Sequence, residues 1–217
     1  MIVDVEQGSA EWIKLRTGLV TASRVADVMA KIKSGEAAGR RNYRSEIVCE
    51  ILTNRAADHY VSPAMEWGTF NEPFARAAYE LEFDVNVDQI GFATHPSIKR
   101  FGASPDGLVG DDGLVEFKCP NTTTHIGWFL EGKVPEEHQA QMLAEMACTG
   151  RQWCDFVSFD PRLPKKLRTY CVRYRRDEDK IREMEGKIED FLHEVDMTIE
   201  LLNKLANGMK MADLETA

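Results

Sequence analysis

No cysteine in this chain has a neighbour at redox or metal-site spacing. The five, Cys49, Cys119, Cys148, Cys154 and Cys171, are odd in number and form no C-x-x-C pair, so reduced thiols are expected rather than a disulfide framework. No apolar run approaches the roughly 20 residues of a membrane helix, and the N-terminus lacks a signal-peptide pattern; the expected setting is the cytoplasm. Tracts rich in Pro, Gly or Ser that would mark a linker are also missing, so 1–217 is expected to form a single domain. Positive charge is short as well, with 27 Lys and Arg against 36 Asp and Glu, a net −9. That deficit argues against a polyanion partner only if it is uniform, and it is not. Residues 14–44 carry +6, residues 162–176 carry +7, and the segment from Asp177 onward carries −7. Two basic islands in an acidic body fit a channel for phosphates about as well as they fit ordinary solvated faces.

What is present reads as alternating helices and strands. Residues 9–31 predict two short helices, with Trp12 and Leu15 on one face and Thr21-Ala22-Ser23 capping the piece that carries Val25, Val28 and Met29. Gly35 and Gly39, amid Lys31, Lys33, Arg40, Arg41 and Arg44, predict an exposed loop, followed by a helix over 43–57 burying Ile47, Val48, Ile51 and Leu52. A helix over 65–81 has Phe70, Phe74, Ala77, Ala78 and Leu81 as its apolar stripe, with Asn71 as a cap for the part after Pro73. Residues 83–87 and 91–94 predict a hairpin. Pro135-Glu136-Glu137 opens a helix that Gly150 closes, with His138, Gln141 and Glu145 on one face. Strands are expected over 155–159 and 169–174, then a long helix over about 177–205.

The chemistry concentrates in Ser104-Pro105-Asp106-Gly107 and Leu114-Val115-Glu116-Phe117-Lys118. In a strand, residues two apart share a face, so Glu116 and Lys118 project together while Val115, Phe117 and Cys119 point away. If residues 98–104 run alongside as a strand, the turn after them delivers Asp106 beside Glu116. Two adjacent carboxylates repel unless they share a proton or a cation, and hard oxygen ligands suit Mg²⁺. A lysine beside them can orient water or offset charge developing on a phosphate. Taken alone, the D-x₉-E-x-K pattern also describes a polar turn beside a half-solvated strand.

More of the chain follows suit. Trp12-x-x-Leu15-Arg16-x-Gly18-x-x-Thr21-Ala22-Ser23, Trp67-Gly68-x-x-x-Glu72, Ser104-Pro105-Asp106-Gly107-Leu108, Glu116-Phe117-Lys118-Cys119-Pro120, Ala140-Gln141 and Phe159-Asp160-Pro161 occur in this order. With these motifs, from Gln7 to about Phe191, the chain resembles the phage lambda exonuclease/YqaJ-type recombinase family of the PD-(D/E)XK nucleases. The resemblance implies an α/β (α+β) restriction-endonuclease-like core, a small mixed central sheet flanked by helices. It implies degradation of linear double-stranded DNA from a 5′-phosphate end, 5′→3′, with release of mononucleotides and a 3′ strand left for recombination. It also implies a homotrimeric ring, a single-strand annealing protein as partner, and a bacterial cell carrying a phage or prophage as the setting.

Position by position, the resemblance makes Asp106 and Glu116 the carboxylates bridging two Mg²⁺ ions, with Mn²⁺ as a possible substitute. The main-chain carbonyl of Phe117 is a further ligand and Glu72 reaches the second ion. Lys118 activates or orients the attacking water, and Gln141 helps place both. Arg16, Thr21, Ser23 and Ser104 match a 5′-phosphate pocket, chemistry that a guanidinium fork and hydroxyls at a helix start can supply. Lys33 is a candidate duplex contact. Leu143 stands where the family often has a second glutamine. The competing readings are an endonuclease or single-strand nuclease on the same core, and a DNA-end-binding adaptor that does not cleave.

Overall fold

A computed structural model describes residues 1–58 and 60–208. Among them are seven α-helices and nine strands in two mixed sheets. The smaller sheet has the order β1 (Ile2–Val3), β4 (Phe92–Thr94), β5 (Phe101–Ala103), β2 (Val20–Thr21). The larger has the order β3 (Val87–Asp88), β6 (Gly107–Val109), β7 (Gly113–Lys118), β8 (Trp153–Phe159), β9 (Thr169–Arg175). Here β7 runs antiparallel to β6 and parallel to β8, with Glu116 opposite Phe156 and Lys118 opposite Ser158. The parallel step requires a crossover, and α5 (Thr122–Glu131) and α6 (Glu136–Thr149) make it.

β7 is therefore a central strand, covered on both faces. Val115, Phe117 and Cys119 pack with Ala75 and Tyr79 of α4 (Pro63–Phe83). Leu114 belongs to a second cluster with Met142 and Met146 of α6 and with Ile181, Met184, Ile188 and Phe191 of α7 (Glu178–Ala206). Helix α6 starts after Pro135 and ends at Gly150, whose φ of 77° is the left-handed cap that glycine accommodates. Asp177 caps α7 by accepting the N–H groups of Asp179 and Lys180. Gly113 is required by space: a Cβ there would lie 2.1 Å from the Trp153 ring.

Several local expectations change. The strand beside β7 is β6, not residues 98–104; Phe101–Ala103 joins the other sheet, and Asp106 sits at the entry to β6. The 83–87/91–94 hairpin does not form. Phe83 ends α4, Asp84 caps it in the left-handed conformation, and β4 pairs with β1 and β5. Helix α3 begins at Ala38 rather than 43, so Arg40, Arg41 and Arg44 are helical. Within it Ile47 and Val48 are buried, but Leu52 is 51% exposed. Asn71 is no cap, because α4 runs unbroken through Pro73 and the buried Asn71 amide donates to the Trp67 carbonyl at 2.8 Å.

The basic islands are balanced in part within the fold. Arg40 and Arg44 both bind Glu36 and Glu194 at 2.5–2.9 Å, and Arg24 pairs with Asp27 and Glu46. In the second island Arg162 is held by Asp160, Arg173 by Asp155 and Arg176 by Glu178. Net charge along the chain thus overstates the positive surface.

Candidate active site

At the C-terminal end of β7 the structure gathers Asp106, Glu116, Lys118, Gln141 and Glu72. Glu116 is 1% exposed. Its Oε1 accepts from Lys118 Nζ and from Gln141 Nε2, the latter at 2.6 Å. Its Oε2 is buried with no hydrogen-bond partner. A buried carboxylate oxygen left without a donor is costly, and a cation satisfies it as well as a proton does. Asp106 accepts the Phe117 N–H at 2.6 Å. Phe117 lies two residues past Val115, the last β7 residue paired with β6. Because N–H and C=O of one strand residue share an edge, the Phe117 carbonyl opens onto the same gap as Asp106.

The electrostatics follow from crowding. Burial, then the charge of Glu116, pushes the Asp106 carboxyl well above its ordinary range. Glu72, on α4, is raised by the same two causes. Burial alone would lower Lys118, but Glu116 and Asp106 outweigh it and hold the ammonium above its usual value. Three acids repelling one another around one lysine form a site short of positive charge. Among the described residues no three His, Cys, Asp or Glu side chains are grouped as around a metal ion. The donor set on offer is two carboxylates and a peptide carbonyl, with Glu72 at the rim, an open arrangement that suits an ion which retains water.

A second assembly forms around α1 (Ala10–Arg16) and the turn after β2. The Arg16 guanidinium lies 4.0 Å from the centre of the Trp12 ring and donates to Ser104 Oγ at 3.0 Å. Trp12 Nε1 donates to the same oxygen at 2.9 Å. Thr21 and Ser23 hydroxyls stand 3.4 Å apart. A cavity of about 370 Å³ opens here, lined by Trp12, Arg16, Thr21, Ser23, Arg24 and Tyr43. Burial lowers Arg16 to about 10, with Tyr43 and Glu50 acting against it, so it stays cationic near neutrality. Unlike Arg24, Arg40 and Arg44, it spends its donors on a hydroxyl rather than on a carboxylate. Ser104, two residues before Asp106, links this cavity to the carboxylates. Lys33 joins neither assembly and is exposed in the loop between Ala30 and Ala37.

The model of the YqaJ-like viral recombinase domain matches residues 11–152, which span both assemblies. The chain belongs to the YqaJ-like viral recombinase family. An alkaline exonuclease from Laribacter hongkongensis, LHK-Exo, is similar at 49% identity with a TM-score of 0.86, covering 92% of this chain and 98% of that one; its complex with dAMP gives the same values. A phage-related exonuclease from Haemophilus somnus 129PT shares the fold at 15% identity, with a TM-score of 0.68 and coverage of 85% and 96%. The comparison with curated proteins finds no match.

In this YqaJ-like chain the fold brings in two acids that carry no site role in the motifs, although Glu145 shares a helix face with Gln141. Glu145, fully buried on α6, accepts from Gln141 Nε2 at 2.9 Å. Its spacing, one turn after Gln141, was the available signal. Glu50, also buried, accepts the Gly18 N–H at 2.7 Å and the Ala57 N–H at 2.8 Å, bracing the turn that follows Arg16. Nothing local to Glu50 in sequence announces that role.

Proposed function

We propose that this chain is a Mg²⁺-dependent exonuclease that degrades linear duplex DNA 5′→3′, releasing 5′-mononucleotides and leaving 3′ single strands for annealing-type recombination. The observation that carries the reading is Glu116: buried, with one oxygen held by Lys118 and Gln141 and the other without a partner beside the half-buried Asp106. Asp106, Glu116 and the Phe117 carbonyl would hold one ion, and Glu72 would help hold a second; Mn²⁺ accepts the same donors. When bound, the ions supply charge neutralisation at the scissile phosphate and its leaving oxygen. Lys118 orients the attacking water and offsets negative charge as it develops, and Gln141 holds the Glu116 oxygen that Lys118 also uses. The similarity to LHK-Exo supports exonuclease action.

Anchoring at a 5′-phosphate rests on the Arg16 cavity, where a terminal phosphate oxygen fits the guanidinium and hydroxyl donors. An internal cutter has no use for such a seat. Arg16→Ala is expected to shrink the rate advantage of 5′-phosphate over 5′-hydroxyl ends by roughly 10- to 100-fold, since a hydrogen bond to a charged group contributes about 1.5–3 kcal/mol. An unchanged ratio would remove the end-anchoring role. The whole reading is tested by incubating linear, 5′-phosphorylated duplex and covalently closed circles in Mg²⁺. Mononucleotides from the linear form alone are expected; comparable nicking of the circles points to an endonuclease, and end binding with no release to an adaptor.

Self-association into a homotrimeric ring is supported by α4. Of its apolar stripe, Phe70, Phe74 and Leu81 are open to solvent at 68%, 54% and 83% exposure. The Phe70 and Phe74 rings meet at a tilt of 52°, centroids 5.8 Å apart, and such a patch marks an interface. Phe74→Asp is expected to shift sedimentation from trimer to monomer; an unaltered mass excludes this face. No helix among the described residues is long and apolar enough to cross a membrane. The enzyme would act in the cytoplasm of a phage- or prophage-bearing bacterium, handing its 3′ strand to an annealing protein.

A further inference from the structure

Glu145 is an acid where the packing asks for an apolar residue. It is 0% exposed, and its helical neighbours Met142, Leu143, Ala144, Met146, Ala147 and Cys148 are all buried. Its Oε2 lies 4.0 Å from Cys154 Sγ. Burying a carboxyl costs free energy that a Met or Leu there would not incur, so the position calls for a return. The return is visible in Gln141. A glutamine amide donates from one end and accepts at the other. Gln141 Nε2 donates to Glu116 Oε1 at 2.6 Å and to Glu145 Oε1 at 2.9 Å, which uses both of its hydrogens. Turned over, the amide would set its own oxygen against two carboxyl oxygens. The two acids together therefore fix which way round it sits and leave its carbonyl as an oriented acceptor. Glu116 must also serve Lys118 and any cation at its open Oε2; Glu145, sealed in the core, has no such competing duty.

We propose that Glu145 is a positioning residue that holds the Gln141 amide in one orientation against Glu116 and Lys118. The inference rests on the nuclease reading for its kinetic consequence but not for its structural content, and the two are separable by experiment. Glu145→Met is near in size and removes the buried carboxyl, so the melting temperature should hold or rise. The value of kcat on saturating 5′-phosphorylated duplex in Mg²⁺ should still fall about 10- to 100-fold, the usual cost of losing a partner that orients a site residue. KM should stay unchanged. Glu145→Gln keeps an acceptor and should restore most of kcat. In a Gln141→Ala background Glu145→Met should have no further effect, because its path runs through Gln141. An equal loss of kcat in both backgrounds, or a loss that tracks lowered melting temperature, would overturn the proposal.

Independently of activity, both hydrogens of the Gln141 side-chain NH₂ in metal-free wild-type protein should be protected from solvent exchange by NMR, since one is held by each acid. Rapid exchange of these signals would overturn it too, even if Glu145→Met does not fold. If the wild-type protein releases no nucleotides while these signals are protected, the nuclease reading fails and the positioning geometry stands.

Discussion

Replacing Lys118 by alanine is expected to lower kcat by about 10²- to 10⁴-fold, the range over which positioned proton-handling groups contribute, while affinity for 5′-phosphorylated duplex stays nearly constant. Lys118 Nζ binds Glu116 Oε1 and lies within the fields of Glu116 and Asp106, so its charge is committed to the carboxylates rather than spread toward a distant groove. Phosphate affinity has other sources, the Arg16 cavity among them. A group whose interaction matters only as charge develops on the phosphate lowers kcat and kcat/KM together. Single-turnover cleavage and filter binding on the same duplex separate the effects. Parallel loss of binding and cleavage would recast Lys118 as an electrostatic anchor. Gln141 keeps its own contact with Glu116 in the variant, so the carboxylate pair should stay in place.

Glu116→Gln should show the second large effect, with opposite signs on activity and on metal-free stability. Removing one negative charge relieves the crowding that raises Asp106 and Glu72, and an amide can donate where the carboxylate had an oxygen without a partner. The metal-free variant should therefore melt at or above the wild-type temperature. Mg²⁺ is expected to stabilise the wild type, by about 2.7 kcal/mol at roughly 100 times its dissociation constant, and the variant hardly at all. Activity should fall to background. A variant that gains as much from Mg²⁺ as the wild type would show that Glu116 is not a ligand.

Residues close in sequence were read well, and those joined across it were not. Helix α6 announces itself with Pro135-Glu136-Glu137 and Gly150, and α7 with Asp177 and its repeating apolar positions; β7 keeps the alternation that puts Glu116 and Lys118 together. By contrast α5 went unread, because Thr122-Thr123-Thr124 is a β-branched run of weak helix propensity. The Asn121 side chain caps that helix all the same, accepting the Thr124 N–H at 2.9 Å. The β4 strand looked like half of a local hairpin, yet it pairs with Ile2–Val3, some 90 residues away. Arg40 and Arg44 looked free in sequence because Glu194, which neutralises them, lies about 150 positions on. The α4 stripe shows in its periodicity, which records that a face is apolar but not whether its cover is intramolecular. Glu145 was placed on the right helix face, yet only the packing shows that it meets Gln141.

The central claim is hydrolysis at an anchored 5′ end, by a carboxylate pair and Lys118. Linear duplex carrying a 5′-phosphate label on one strand and a 3′ label on the other tests it most directly. In Mg²⁺ the 5′ label should appear first and as mononucleotide, with the 3′ label retained in a lengthening single strand, and chelation should stop both. Early release of the 3′ label, or a 5′ label that appears first on oligonucleotides rather than on mononucleotide, would contradict it.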